Sequence, residues 1–136
     1  MALTEGSPRS RTVKAIGPKF KITLSGTCIA GDLLGYSSGW KRALATVGTA
    51  IQAKLIALEG GVSGDVIEVC REAVIDGFTS GTAGGLLYLE EGAGVGGGYT
   101  ETEPTTTGDV NTIIGYNLSA SDVLASISVR AGSTHA

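Results

Sequence analysis

The sequence predicts an all-β protein with a single domain, built as a small β-barrel or sandwich of about eight to nine short strands. Glycine is the first reason: 22 of the 136 residues are glycine, against a usual share of about 7%. The glycines separate short apolar runs, as tight turns do between strands. The second reason is spacing, because a turn signal recurs about every 8 to 15 residues and no helix longer than two turns is required.

The N-terminal region divides into an arm and a first strand. Residues 1–12 are polar and have no apolar period, which predicts an extended or disordered arm. Apolar and polar residues then alternate over residues 20–24, the pattern of a half-buried strand. We therefore assign residues 1–25 to the arm and first strand, and residues 26–136 to the barrel domain.

The next segment predicts a hairpin. Gly31-Asp32 is a turn signal before a short strand over residues 33–36. A second turn over residues 37–39 returns the chain along residues 40–44, as in a β-hairpin.

The middle of the chain contains the strongest β pattern. Residues 51–58 have a helix-forming composition, but the run is short and bracketed by glycines, which favours a strand. Over residues 66–78, Ile67, Val69, Ala73 and Ile75 share one parity. Arg71 interrupts this apolar face, which indicates a bulge or an inward charge.

The last third alternates compact strands with polar connections. A buried strand is predicted over residues 86–89, a flexible glycine loop over 92–98 and a Thr-rich connection over 101–108. Two closing strands are predicted over residues 110–118 and 123–129, joined by a turn over 119–122.

Charge is distributed unevenly along the chain. Five basic residues and one acidic residue give residues 1–21 a net charge of +4, while the remainder carries −7. A basic arm on an acidic body is suited to docking on an acidic surface, although a solvated terminal segment explains it equally well.

The sequence offers few groups for catalysis, and we expect a protein that is not an enzyme. His135 is the only histidine and lies next to the C-terminal residue, where a frayed end would not hold a catalytic base in place. Cys28 and Cys70 are 42 positions apart and match no zinc spacing. Both lie in apolar strand-like sequence, so we expect free buried thiols. We expect no metal and no cofactor.

Two glycine-rich patterns are better explained by turns and loops than by ligand binding. Gly-Asp recurs three times before apolar sequence, at Asp32, Asp65 and Asp109. Each aspartate stands alone, without the spacing of a calcium loop, and side-chain hydrogen bonding at a turn explains all three. The run 92–98 lacks the helix start and the lysine of a phosphate-binding loop.

Several pieces of the sequence, taken in order, resemble the capsid decoration (cement) proteins of tailed bacteriophages and related head- or tail-fibre β modules. Ala30-Gly31-Asp32-Leu33-Leu34-Gly35-Tyr36 resembles the opening of such modules. Gly85-Leu86-Leu87-Tyr88-Leu89 follows, then Tyr99-Thr100, Pro104, Gly108-Asp109-Val110 and Gly115-Tyr116-Asn117-Leu118-Ser119-Ala120. The resemblance covers about residues 26–128, and the loop at 92–98 is longer than the family pattern.

The resemblance implies a β-barrel or β-tulip module that serves as a structural virion protein without catalytic residues. Such a protein decorates and stabilises the outside of a capsid by binding between subunits of the major capsid protein, usually as a homotrimer. It would be made in the host cytoplasm and end on the capsid exterior. The candidate capsid contacts are the basic residues of the arm: Arg9, Arg11, Lys14, Lys19 and Lys21.

Other functions fit less well. The alternative within the same resemblance is a tail- or head-fibre module that binds a host receptor, for which Tyr99 is the expected exposed aromatic residue. Nucleic-acid binding would depend on the basic arm alone, without interleaved aromatic residues. The sequence has no apolar run of the roughly 18 residues needed to cross a membrane. We therefore expect neither nucleic acid nor a membrane as a partner.

Overall fold

The computed structural model describes residues 3–5, 9–91, 96–128 and 133–136, and in these residues the protein is all-β, as predicted, with 13 strands and no helix. The strands are β1 (Thr4–Glu5), β2 (Val13–Ala15), β3 (Phe20–Thr23), β4 (Leu33–Tyr36), β5 (Trp40–Arg42), β6 (Leu55–Ala57), β7 (Val66–Cys70), β8 (Glu72–Ile75), β9 (Phe78–Thr79), β10 (Leu86–Leu89), β11 (Tyr99–Thr100), β12 (Ile113–Asn117) and β13 (Val123–Ser126). Thirteen exceeds the predicted eight to nine because several strands have only two or three residues, too few for an alternating pattern to be recognised.

The strands of the described residues form three sheets. The largest has the order β11-β10-β12-β13-β8-β2, and the second has the order β3-β7-β6-β4-β5. β1 pairs only with β9, which attaches the start of the N-terminal arm to the body. All named strand pairs are antiparallel.

The central strands β6 and β4 of the five-stranded sheet are buried on both faces, whereas the edge strand β3 is largely exposed. Leu34, Leu55 and Val69 face a small core within the curl of this sheet, while Leu33 and Ile56 face the main core. Burial on both faces explains why every residue of β6 is apolar and buried. A parallel bridge from Leu24 to Trp40 links the two edges locally, but no sheet among the described residues closes into a barrel.

The main core lies between the two large sheets. The six-stranded sheet contributes alternate residues such as Ile75, Leu87 and Val123, and the five-stranded sheet contributes Leu33 and Ile56. All five are fully buried. This alternation is what an apolar period of two predicts for strands with one buried face.

The segment 66–78 passes through all three sheets. β7 belongs to the five-stranded sheet, β8 to the six-stranded sheet and β9 to the two-stranded one. Ile67, Val69, Ala73 and Ile75 are buried, as predicted. Arg71 is neither an inward charge nor part of a strand, because it is exposed at the bend between β7 and β8. The break in the pattern marks the change of sheet.

The hairpin and the strand that follows it were predicted in the correct places. Tyr36 pairs with Trp40 across the turn, and Ser38 at its tip has a φ of 57°. Within residues 51–58 the structure forms strand β6 and a bridge at Ile51, with no helix. The strand is shorter than predicted.

The three Gly-Asp pairs form turns of one kind. In each turn the aspartate carboxylate accepts a hydrogen bond from the backbone N–H three residues earlier: Ile29 to Asp32 at 2.9 Å, Val62 to Asp65 at 2.9 Å, and Thr106 to Asp109 at 3.2 Å. The preceding glycines have φ values of 83°, 96° and 94°, in the left-handed region that favours glycine. The prediction of three turn aspartates is confirmed.

The described part of the glycine-rich segment is not a flexible loop. Residues 96–98 are buried. The Gly97 N–H donates to the Ala43 carbonyl at 2.7 Å, and the Gly97 carbonyl accepts from Leu33 at 3.1 Å. A Cβ on Gly97 would lie 2.8 Å from Asp32 Cγ, so this segment packs too closely for a larger residue. Residues 92–95 lie outside the described residues.

The C-terminal residues 133–136 are also attached to the body. The His135 N–H donates to the Asp109 carbonyl at 2.7 Å, and the His135 carbonyl accepts from Gly108 at 2.8 Å. The expectation of a frayed end at His135 is therefore wrong. In the part of the chain that the structure describes, no helix could cross a membrane.

Candidate functional site

A buried ion pair joins the N-terminal arm to the first Gly-Asp turn. Arg11 Nη1 lies 2.6 Å from Asp32 Oδ1, and neither side chain is exposed to solvent. Asp32 Oδ2 accepts a second charge-assisted hydrogen bond from Arg42 Nε at 2.7 Å. Arg42 belongs to β5, so the Asp32 carboxylate connects the arm, the turn before β4 and strand β5.

Further charged groups complete the cluster. Glu5 accepts two hydrogen bonds from Arg11, each 2.8 Å long, in the bidentate geometry that suits guanidinium and carboxylate. Arg9 donates to Glu90 at 3.2 Å and to the Gly96 carbonyl at 2.9 Å. The cluster therefore contains three arginines and three carboxylates, and its formal charges cancel.

Two aromatic rings cover the Arg11 guanidinium. Its central carbon lies 5.8 Å from the centre of the Phe78 ring and 5.4 Å from that of Tyr99, within the range of cation–π attraction. The Tyr99 hydroxyl donates to the Gly31 carbonyl at 2.6 Å. Burial raises the pKa of Tyr99 above its ordinary value, so the residue stays a neutral donor.

Arg11 remains charged in this buried position. Burial lowers the pKa of the guanidinium, but hydrogen bonding with Glu5 and attraction to the Glu5 and Asp32 carboxylates raise it, and the net change is upward. A buried charge of this kind is tolerated when it is paired and hydrogen-bonded. The arm is consequently held on the body rather than projecting from it.

The structure separates the five candidate contact residues into two groups. Arg9 and Arg11 are engaged within the chain, whereas Lys14, Lys19 and Lys21 are exposed. The lysines form no ion pair with any described residue. Their role in contacting a capsid stays a prediction, and the arginines have a role in holding the arm that sequence reasoning did not anticipate.

The outer face of the six-stranded sheet carries a row of four large apolar side chains that ends at a lysine. Direct cross-strand pairing runs from Leu86 to Tyr116, then to Leu124, Val74 and finally Lys14. Leu86 and Tyr116 are 48% and 41% exposed. Since directly opposite residues share a face of a sheet, these five side chains form one continuous row, which we call the outer row.

Exposed aromatic residues lie on strands. Tyr99 is only 3% exposed, so the expectation that it is accessible is wrong. Its neighbours in the sequence are rich in glycine and do not indicate that the Tyr99 side chain faces the main core. Tyr36 is 64% exposed and stands edge-on to Trp40, with ring centres 5.3 Å apart. Phe20 is 45% exposed.

Both cysteines are free and buried, as predicted. Burial raises the pKa of the Cys28 thiol to about 11, and nearby Asp32 adds to this increase. Burial also raises the pKa of Cys70. Among the described residues, no group of three histidine, cysteine, aspartate or glutamate side chains is placed to hold a metal ion.

Comparisons with family models, with curated proteins and with solved structures found no match to this chain.

Proposed function

We propose that this protein is a structural, non-enzymatic virion component that decorates and stabilises the outside of a bacteriophage capsid by binding between major capsid subunits. We propose further that copies associate as a homotrimer with the β-barrel or β-tulip architecture of the decoration proteins. The resemblance of residues 26–128 to that family motivates the proposal. It requires no cofactor and no nucleic acid.

The observation that carries the proposal is the outer row, whose apolar side chains end at the exposed Lys14. Lys14 ends the outer row, and Lys19 and Lys21 follow on the adjoining connection and on β3. Apolar side chains suit packing between copies, and the lysines suit an acidic or polar capsid surface. Because identical contacts repeat over a symmetric shell, weak individual contacts suffice for durable attachment.

Occupancy of purified empty shells tests the lysines. The triple variant K14Q/K19Q/K21Q should reduce the number of copies bound per shell, and added salt should weaken the wild type in the same direction. The control is K41Q/K54Q, which removes the two lysine charges outside the arm. Cryo-electron microscopy of decorated shells measures both. Equal occupancy for the triple variant and the control would exclude the lysines as contacts.

Substitution is a sharper test than removal of residues 1–12. Truncation would leave Lys14, Lys19 and Lys21 in place and would delete Glu5, Arg9 and Arg11, so that Asp32 would be paired only with Arg42. A loss of shell binding could then reflect an unfolded protein rather than a missing contact.

The exposed Tyr36, which stands edge-on to the half-buried Trp40, favours the alternative, a tail- or head-fibre module that binds a host receptor. Aromatic side chains are enriched at binding hot spots. If this alternative is correct, Tyr36→Ala should reduce adsorption of the purified protein to host cells while shell occupancy is unchanged. The reverse pattern supports decoration.

A further inference from the structure

An open groove lies where β2 leads into β3, at the junction of the two large sheets. Its volume is about 400 Å³, a size that accommodates a few side chains of a bound segment. The groove residues used in the argument are Ile16, Pro18, Phe20, Arg71, Glu72 and Ile127.

Hydrogen bonds hold the floor of the groove in place. The Ile16 N–H donates to the Glu72 carbonyl at 2.8 Å, and the Ile127 N–H donates to the Arg71 carbonyl at 2.8 Å. The Glu72 carboxylate accepts from the Ser126 hydroxyl at 3.0 Å. These hydrogen bonds join the end of β2, the start of β8 and the end of β13, and they fix the floor of the groove.

The apolar part of the groove is accessible. Ile16 is 41% exposed and Phe20 is 45% exposed, and Ile127 lies buried beneath them. Two exposed large side chains around one concave surface leave apolar area that a partner side chain could cover.

The surrounding charge is positive. Arg71 is exposed and takes part in no ion pair between described residues. Lys19 follows Pro18 directly, and its ammonium is close enough to Cys70 to oppose the increase in that thiol's pKa. Glu72 is the single acidic side chain of the groove lining, and it is already hydrogen-bonded.

We propose that this groove binds an extended acidic peptide segment of a partner protein, with an apolar side chain against Ile16 and Phe20 and a carboxylate on Arg71. A guanidinium without an ion-pair partner suits bidentate carboxylate binding. The assignment of this segment to the major capsid protein rests on the proposed function. The binding of an acidic segment rests only on the residues of the groove.

Peptide titration of the full chain, followed by ¹H–¹⁵N NMR, tests the proposal. The probe is a capped seven-residue peptide that alternates leucine with glutamate, and the matched probe has glutamine in place of each glutamate. The acidic peptide should shift the resonances of Ile16, Arg71 and Ile127, and the glutamine peptide should bind about tenfold more weakly because the charge-assisted hydrogen bond is lost. A seven-nucleotide oligothymidylate tests a phosphate backbone as ligand.

The variant R71Q should weaken acidic-peptide binding by about tenfold, while K54Q, outside the groove, should leave it unchanged. Equal affinity for both peptides, stronger binding of the oligothymidylate, or equal effects of R71Q and K54Q would each overturn the proposal. Shell occupancy distinguishes the two hypotheses. If R71Q decorates shells as the wild type does, the capsid segment is not the ligand; if peptide binds but shells stay undecorated, only the proposed function fails.

Discussion

Asp32, Asp65 and Asp109 close turns with the same local hydrogen bonds, yet their surroundings differ. Asp65 is exposed, whereas Asp32 is completely buried and binds Arg11 and Arg42. Asp109 uses its second oxygen to accept from the Val47 N–H at 2.7 Å. Of the three turn aspartates, Asp32 is therefore the one that is also the centre of an ion-pair cluster.

This difference predicts different consequences for one isosteric change. D32N keeps a side-chain oxygen for the turn but removes the charge that balances buried Arg11, and we expect a loss of about 3 kcal/mol in the free energy of unfolding. Arg11 retains Glu5, which keeps the loss at the lower end of the range for broken buried pairs. Urea denaturation measures it.

D65N is the matched control, because it changes the same atom in the same kind of turn. Because Asp65 forms no ion pair with a described residue, D65N should lower the free energy of unfolding by less than about 1 kcal/mol. Similar losses for D32N and D65N would mean that the turn, and not the ion-pair cluster, accounts for the stability contributed by Asp32.

Burial of the Cys28 thiol predicts a loss of stability at alkaline pH. Its pKa is about 11 in the folded chain against an ordinary value of 9.0. Because the thiol ionises at lower pH in the unfolded chain than in the folded one, its contribution to the free energy of unfolding is fully present below about pH 9. That contribution declines as the pH rises from about 9 towards 11. The free energy of unfolding should therefore fall over this interval.

Denaturation of the wild type and of C28A at pH 8, 9 and 10 checks this prediction. C28A lowers stability at every pH by removing buried atoms, but its decline between pH 8 and 10 should be smaller than that of the wild type. Parallel declines would show that the Cys28 thiol does not contribute.

At the scale of the elements, β12 depends on a glycine in its centre. Gly115 pairs with Ala125 of β13 and with Leu87 of β10. A Cβ at Gly115 would collide with the Leu124 carbonyl oxygen and lie 3.0 Å from the Ala125 Cα. Both obstacles are backbone, so they can move only by distorting the sheet.

G115A should therefore destabilise the fold by about 3 kcal/mol through overpacking. G26A is the control, since a Cβ there would meet only the Lys41 side chain at 3.6 Å, and it should change stability by less than about 1 kcal/mol. Thermal unfolding of both variants separates steric collision from the general effect of replacing glycine. A mild effect of G115A would contradict the close strand approach.

The elements were predictable where a local pattern is complete. β10 lies at the predicted residues 86–89, and the hairpin of β4 and β5 has the predicted turn. β1, β9 and β11 were missed because two residues show no period. At the candidate site, the sequence indicated basic residues but not the partners Glu5, Asp32 and Glu90, since no local pattern distinguishes these carboxylates from solvated ones.

At the scale of the whole molecule, the outer face of the six-stranded sheet is the surface that bears on self-association. Four of the ten exposed large apolar residues of the described chain lie on β10, on β12 or directly after β12: Leu86, Ile113, Tyr116 and Leu118. Exposed apolar residues grouped on one sheet face are typical of an interface.

If copies associate through this face, sedimentation equilibrium should give three times the chain mass of 13.7 kDa, and L86K/Y116K should sediment as a monomer. V62K/V66K is the control, because Val62 and Val66 are 55% and 59% exposed and lie off this sheet. A monomeric wild type would contradict the trimer. Dissociation of the control alone would place the contact elsewhere.

The sequence by itself determined the all-β class, the turns and which residues of most strands are buried, because side-chain alternation and turn geometry depend on a few adjacent residues. Only the tertiary structure decided the sheet to which each strand belongs, and therefore which residues meet. Arg11 reaches Asp32 and Leu86 reaches Tyr116 through pairings between distant parts of the chain. Alternation reports which face of a strand is buried, but it carries no information about the neighbouring strand, on which the ion-pair cluster and the outer row both depend.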